Sequence, residues 1–422
     1  MIELSGIQKE IVNSDAKNII VDAGAGAGKT RTLTERVRHI LEQGVSPEGV
    51  VVITFTNEAA DELKSRLTGI KNVSKCFIGT IHSYANKLLK KAGYNFEIFS
   101  EPIQTEFMEY LIPTYAFYAT LEDYKIFLAC DKLMSMGKMK ESEAMNKFSD
   151  PKVYHEIKQL LGRELGYAYK ETVKTICKNN NVIDFDELIK LSTKYFKESN
   201  TTLEYLFVDE LQDVGYLEYK FLMSLNAKNN FVIGDDYQSI FGFKGGDVHI
   251  FLSLMNHPDW KTYLLTDNYR TCKSVLKFAN SIIKKADDII QKDIGFKNEN
   301  NGKLEFIAKS QLKNFISGLK ATEDWFILAR SNKDMYMIDE MLTKAKIKHY
   351  CLKRSITTNS NFKNLCDTKC IKVMTIHASK GLECENVALY GKFPVNGKGS
   401  SDEIKVFYVG LTRAKERCVV FV

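Results

Sequence analysis

Residues 18–30 read NIIVDAGAGAGKT, and no other stretch limits the possible folds as strongly. An apolar, β-branched run ends in a turn of alternating small residues. Lys29 and Thr30 follow, and then a polar stretch suited to a helix beginning near Arg31. Small residues let backbone N–H groups converge on phosphate oxygens, and a helix N-terminus adds a favourable dipole. Ala23, Gly24, Ala25, Gly26, Ala27 and Gly28 would form that cradle. Lys29 would reach the β- and γ-phosphates of ATP, and the Thr30 hydroxyl would coordinate Mg2+. The general pattern has glycine where this chain has Ala23. A short, wholly apolar strand feeding such a turn fits a parallel sheet buried on both faces by helical crossovers.

Similar runs recur at 50–56, 203–210 and 230–236. Between about 84 and 183 the character changes. Tyrosines, lysines and methionines recur there at helical spacing, so a helical insertion is expected. From about 267 strand-like runs return at 304–308, 324–330, 370–377, 386–391 and 417–422, which predicts a second α/β domain. A chain of 422 residues is long enough for about two to four domains.

LFVDELQD, residues 206–213, is a strand ending in two carboxylates. Such a pair is common at strand ends without any ligand. Beside Lys29 and Thr30 it acquires a use. Asp209 would hold Mg2+ directly or through water, and Glu210 would activate the attacking water. GDDYQSIFGFKGG, residues 234–246, sets a different problem. A strand there ends in acid and then presents two phenylalanines and a lysine on a glycine-rich loop. Rings on a basic loop suit nucleic-acid bases, because every base has a π-face and stacking tolerates any sequence. Packing of both rings into the core is the competing reading.

These pieces, taken in order, resemble the superfamily 1 DNA helicases of the UvrD/Rep/PcrA type. AGAGAGKT is similar to their first motif, including its alanine. TFTNEAADEL (54–63), GTIHS (79–83) and DFDELI (184–189) resemble three further landmarks. VDELQD resembles their acidic box. GDDYQSIFGFKGG, LTDNYRT (265–271), VMTIHASKGLECENV (373–387) and FYVGLTRAKER (407–417) resemble motifs III to VI.

The resemblance implies two RecA-like P-loop domains: the first over 1–83 and 184–266, interrupted by a helical insertion (1B) at 84–183, and the second over 267–422. By resemblance Gln8 reads adenine, Arg31 and Tyr269 sandwich its ring, and Glu383 contacts the ribose. Gln238 senses the γ-phosphate or the attacking water, and Arg270 and Arg413 reach the γ-phosphate from the second domain. Phe55, Thr56, Asn57, Thr80, His82, Phe241, Phe243, Lys244, Thr375 and His377 match positions along the DNA track. The implied activity is ATP-dependent 3′-to-5′ translocation on single-stranded DNA, or unwinding of tailed duplex. Two rival readings are a DNA- or nucleotide-sensing ATPase serving a partner nuclease in antiviral defence, and a replication or repair accessory.

Departures from the family pattern are specific. Glu58 replaces a usual lysine beside the DNA path, and Cys384 a usual aromatic. Only Lys333 to Lys369 separate the strand at 326–332 from motif V, too few for the accessory domain 2B that the family carries there. The chain also stops just after the last motif. Fifty-nine basic against 53 acidic residues give a net charge of +6, which permits a polyanionic partner without demanding one. Scattered cysteines fit free thiols in a reducing cytoplasm. The first residues resemble no signal peptide, and no apolar run approaches the roughly 18 residues of a membrane span.

Overall fold

The computed structural model describes residues 4–98, 139–161, 181–199, 201–242, 245–320, 322–352 and 369–422, with isolated positions between 119 and 134. The continuous apolar runs become the central strands of two parallel sheets. In the first, β1 (Asn18–Ala23), β2 (Val50–Thr54), β3 (Phe77–Thr80), β4 (Tyr205–Val208), β5 (Asn229–Gly234) and β6 (Lys261–Leu265) lie in the order β3-β2-β4-β5-β1-β6. All five neighbouring pairs are parallel. Every residue of β2 is buried, as both faces must be when helices cover both sides. Burial of each Val or Ile there contributes about 1.5–3 kcal/mol relative to an exposed side chain.

The second sheet comprises β7 (Lys303–Ile307), β8 (Trp325–Ala329), β9 (His349–Cys351), β10 (Ile371–Thr375), β11 (Cys384–Tyr390) and β12 (Ala414–Phe421). Its order is β7-β12-β11-β8-β10-β9, again parallel throughout. Two such P-loop-type sheets make the chain a mixed α/β protein with two RecA-like domains. Both sheets fall in one compact unit, residues 1–84 and 193–422. The helix Lys273–Ile283 buries Val275, Leu276 and Ala279 against Phe407 and Val420 of the second sheet's layer.

Residues 85–192 form a second unit. Its described core gathers Phe127, Phe148 and Tyr154, with ring centroids 5.2 and 5.6 Å from Tyr154. Two short parallel strands, Glu97–Ile98 and Val182–Ile183, also lie within it.

Three helices of the first unit matter for the site. α1 (Gly6–Asn13) starts in a capping box between Ser5 and Gln8, which satisfies two otherwise orphaned N–H groups. α2 (Lys29–Glu42) begins at the end of the glycine-rich turn, two residues earlier than Arg31, because Gly28 in the left-handed region closes the turn itself. α3 (Asn57–Arg66) is capped by the Thr56 hydroxyl. Among the described residues no helix is long and apolar enough to cross a membrane, and no cysteine is in a disulfide.

Candidate active site

The site grows from the carboxyl ends of the parallel strands, where open α/β sheets bind ligands. β1 runs into the turn formed by Gly24 to Gly28. The Gly24 N–H donates to Leu265 O at 2.9 Å, fixing the turn to β6. Gly26 and Gly28 have φ of 69° and 83°, values that disfavour any side chain. A Cβ on Gly26 would also stand 2.8 Å from Arg270 Cβ and from Asn268 Nδ2. The second domain's motif therefore lies directly over the loop. The Asn268 side chain donates to Ala25 O, and its oxygen accepts from the N–H groups of Arg270 and Thr271. From the other side Gln8 Nε2 donates to Ala27 O at 3.2 Å. Gln8 is thus a clamp on the loop backbone.

Beyond β4 the chain turns sharply at Glu210, whose φ is 53°. A non-glycine residue in this region stores strain and aims the carboxylate away from the strand. Lys29 Nζ lies 3.2 Å from Glu210 Oε1. Burial pulls the Lys29 pKa down, but Glu210, Asp235 and Asp209 outweigh it and hold it above the ordinary value. The two adjacent acids are driven apart. Burial, reinforced by Glu210, pushes Asp209 up to about 7. Burial acts on Glu210 too, but Lys29 and Lys380 overcome it and hold the carboxyl down at about 2. Gln212 completes the group, donating to Glu210 Oε2 at 2.5 Å and accepting from the Asp235 N–H at 3.0 Å.

Gln238 and Arg413 meet across the two domains. Arg413 is 1 % exposed and donates to Val409 O at 2.9 Å, Leu382 O at 3.1 Å and Gln238 Oε1 at 2.8 Å. Burial, then Arg270, lowers its pKa to about 9, which leaves it charged at neutral pH. Gln238 Nε2 donates in turn to Asp235 Oδ2 at 2.5 Å. Arg270 and Lys415 both pair with Glu383, at 2.5 and 2.6 Å. Burial would raise the Glu383 pKa, but the two cations hold it below the usual range.

A cleft of about 540 Å³ opens beside the loop, lined by Gly26, Gly28, Tyr269, Arg270, Asn298, Asn300, Glu383, Lys415 and Glu416. Tyr269 is 48 % exposed, and its N–H donates to Gly26 O at 3.1 Å. An exposed ring over a phosphate loop suits a base. Arg31, half-buried on the first turn of α2, does not belong to this lining.

The residues expected to meet DNA cluster at the same strand ends. Phe55, Thr56 and Asn57 follow β2, Thr80 ends β3 with His82 in the first turn of the next helix (Ile81–Lys91), and Thr375 ends β10 with His377 opening the turn after it. Asn57 and Thr56 are exposed, and Phe55, Thr80, His82, Thr375 and His377 are half-buried. Several of these groups also hold local structure. Thr80 Oγ1 accepts from the Ser83 N–H and Thr375 Oγ1 from the Ala378 N–H, each at 3.3 Å, while His82 Nε2 stands 3.8 Å from Glu218. Phe241 departs from the expectation of an open ring. It is 8 % exposed, stacked on Phe55 at 5.2 Å and 16°. Lys380 Nζ lies 5.3 Å from its centroid, and the His377 ring lies at 6.2 Å. An apolar ring finds closer partners in another ring and a cation than in solvent. Phe243 and Lys244 lie outside the described residues.

Sequence reasoning passed over Lys380, three residues before Glu383. It contacts Asp213, donates to Gln238 O at 2.6 Å and lies 3.7 Å from Glu210 Oε2. Its position in SKGLE was the available signal. Asn268 and Gln212 were likewise inside quoted motifs but carry no charge to single them out.

Comparison with known proteins agrees with this geometry. The UvrD/REP helicase N-terminal domain family matches residues 4–259, and the UvrD-like helicase C-terminal domain family matches residues 351–422. The chain is 28% identical over 380 residues to the ATP-dependent DNA helicase Rep of Buchnera aphidicola subsp. Baizongia pistaciae, covering 82% of this chain and 54% of that protein. It is 28% identical over 378 residues to the ATP-dependent DNA helicase PcrA of Bacillus subtilis, covering 82% and 50%. PcrA of Staphylococcus epidermidis gives 28% over 373 residues, covering 81% and 50%. The chain therefore spans about half the length of the curated relatives it matches.

Proposed function

We propose, from the premise that the chain belongs to the UvrD/Rep helicase family, that it hydrolyses ATP to move 3′ to 5′ along single-stranded DNA. The observation that carries this reading is the 2.8 Å hydrogen bond from Arg413 to Gln238. It joins a cation after the last helix of the second domain to a polar side chain of the first, beside the Lys29–Glu210 pair.

Phosphates entering the cradle would compete with Glu210 for Lys29. Glu210 is a poor base while two lysines hold its pKa at about 2. Loss of Lys29 to phosphate raises its basicity, so the carboxylate gains its proton-accepting power when substrate arrives. Thr30 and Asp209 would hold Mg2+, which supplies positive charge against the phosphate oxygens. A buried Asp209 carboxyl pushed up to about 7 fits a divalent cation, since the cation relieves the burial penalty on its charge. Arg270 and Arg413 would neutralise charge on the transferring phosphoryl group. Both belong to the second domain, so hydrolysis would change how firmly the two domains are held together. Alternating closure would then convert into steps along a strand lying over the ends of β2, β3 and β10.

The purified chain tests this directly. ATP turnover should rise with single-stranded DNA. On strands carrying end-bound streptavidin it should displace the block from the 5′ end and leave the 3′ end untouched. DNA-independent turnover, or displacement from the 3′ end alone, would overturn the reading.

A further inference from the structure

One fully buried cation belongs to no step above. Lys292 follows the helix Lys273–Ile283 on a segment without regular structure that returns to the first sheet. Its side chain is fully buried, with Nζ 2.6 Å from Asp22 Oδ1, 3.0 Å from Asp235 Oδ1 and 2.6 Å from Asp236 Oδ1. The Tyr237 ring lies under the ammonium, 4.1 Å from centroid to Nζ. Backbone contacts fix the same segment: the Ile290 N–H donates to Asp236 Oδ2 at 2.5 Å and the Lys292 N–H to Tyr237 Oη at 2.8 Å. Two residues on, Ile294 packs in the same cluster as Ala25 of the phosphate loop.

Two of these carboxylates lead towards the site. Asp22 is the penultimate residue of β1, directly before the loop. Asp235 has one oxygen on Lys292 and the Tyr237 N–H, and the other on Gln238 Nε2. A glutamine amide can present either end to a neighbour. Its nitrogen is committed to Asp235 here, so its oxygen must face Arg413. The three acids together have the spacing of a cation site, and the ammonium already fills it.

We infer that Lys292 is a positioning residue for ATP hydrolysis: by fixing Asp235 it sets the orientation of Gln238, and hence the contact between Gln238 and Arg413. The inference rests on the ATP-site reading of those two residues. Burial alone would depress the ammonium's pKa, but Asp235, Asp22 and Asp236 hold it well above the ordinary value, so the lysine is charged at any working pH. It acts as a fixed strut and not as a switch.

Lys292→Met alone leaves buried carboxylates without a partner and can unfold the protein. The informative variant is Lys292→Met with Asp22→Asn, assayed at about pH 8, where the parent's Asp22 is ionised and the double change keeps the cluster's net charge. Asp235 and Asp236 still lose the ammonium, so the variant's melting temperature should fall. At an assay temperature below the melt we expect KM for ATP to stay near the parent's while DNA-stimulated kcat falls by about 10–100-fold, as for a misplaced reacting group. Lys292→Arg should restore part of kcat. Placed in a Gln238→Ala background, the double change should lower kcat by no more than about twofold further, because both act through one group. A parent-like kcat in the charge-balanced variant, or losses that multiply with Gln238→Ala, would overturn the inference while leaving the ATP-site reading intact. A silent Gln238→Ala would overturn that reading, and the inference with it.

Discussion

Arg413→Ala separates stability from catalysis in numbers the structure supplies. The guanidinium makes four hydrogen bonds, the fourth to Thr412 Oγ1 at 3.2 Å. Val409 O keeps a second donor, the Thr412 hydroxyl at 3.2 Å. Leu382 O and Gln238 Oε1 lose their Arg413 donor, at about 1–3 kcal/mol each. Release of a buried guanidinium offsets part of this, so unfolding should become easier by a few kcal/mol at most. Catalysis should suffer more. An arginine aimed at a transferring phosphoryl group is worth about 10³–10⁵ in kcat, or about 4–7 kcal/mol. The assay is steady-state ATPase at saturating single-stranded DNA, beside thermal melting and binding of a fluorescent ATP analogue. Arg413→Lys should lie between, since it retains charge without the fork. A kcat within tenfold of the parent, or a loss matching only the unfolded fraction, would refute the assignment.

Three further outcomes are expected, the one at Phe243 from the sequence alone. Phe241→Ala should destabilise the fold by about 3–5 kcal/mol, as for a buried ring, whereas Phe243→Ala should leave melting unchanged and cost about 1–3 kcal/mol of single-strand affinity; swapped effects would reverse the two roles. Burial, opposed by Lys292 and reinforced by Asp236 and Asp235, pushes Asp22 up to about 7. The folded protein therefore holds a proton there that the unfolded chain has already lost above its ordinary range. Stability from that group is full below the ordinary carboxyl range of about 4 and is lost progressively as pH rises to about 7, so the melting advantage of Asp22→Asn over the parent should grow from about pH 4 to about pH 7 and level off above; a difference flat across that range would contradict it. Finally, Lys333 to Lys369, the interval before motif V, is too short for the accessory domain 2B, so duplex grip should be weak. Single-turnover strand displacement on a 3′-tailed duplex should be slow beside translocation on the matched single strand, unless a partner protein is added, and robust unwinding by the isolated chain would sink that expectation.

What the sequence displayed was local. The phosphate loop is one contiguous stretch whose glycines have a single backbone purpose, and every central strand announces itself as an unbroken apolar run. Edge strands were harder. β6 carries Lys261, Thr262 and Leu264 on exposed positions, and β3 is only four residues long, so neither reads as a buried run. Phe241 and Phe243 are two apart in the sequence with identical chemistry, and nothing local says that Phe55 covers the first. Lys292 was the least legible. Its segment, DDIIQKDIGF, looks like a solvated charged turn, and its three partners come from two other strand ends. Contacts that assemble across sheets leave no periodicity in the chain.

The central claim is that Glu210 takes the proton from the attacking water while Lys29 binds phosphate. The most direct measurement pairs ATP binding with DNA-stimulated hydrolysis for the parent, Lys29→Ala and Glu210→Gln. Glu210→Gln removes a base needed only in the transition state, so turnover should fall by about 10²–10⁴-fold with nucleotide affinity kept. Lys29→Ala should lose both. Glu210→Gln hydrolysing ATP at the parent's rate would contradict the account.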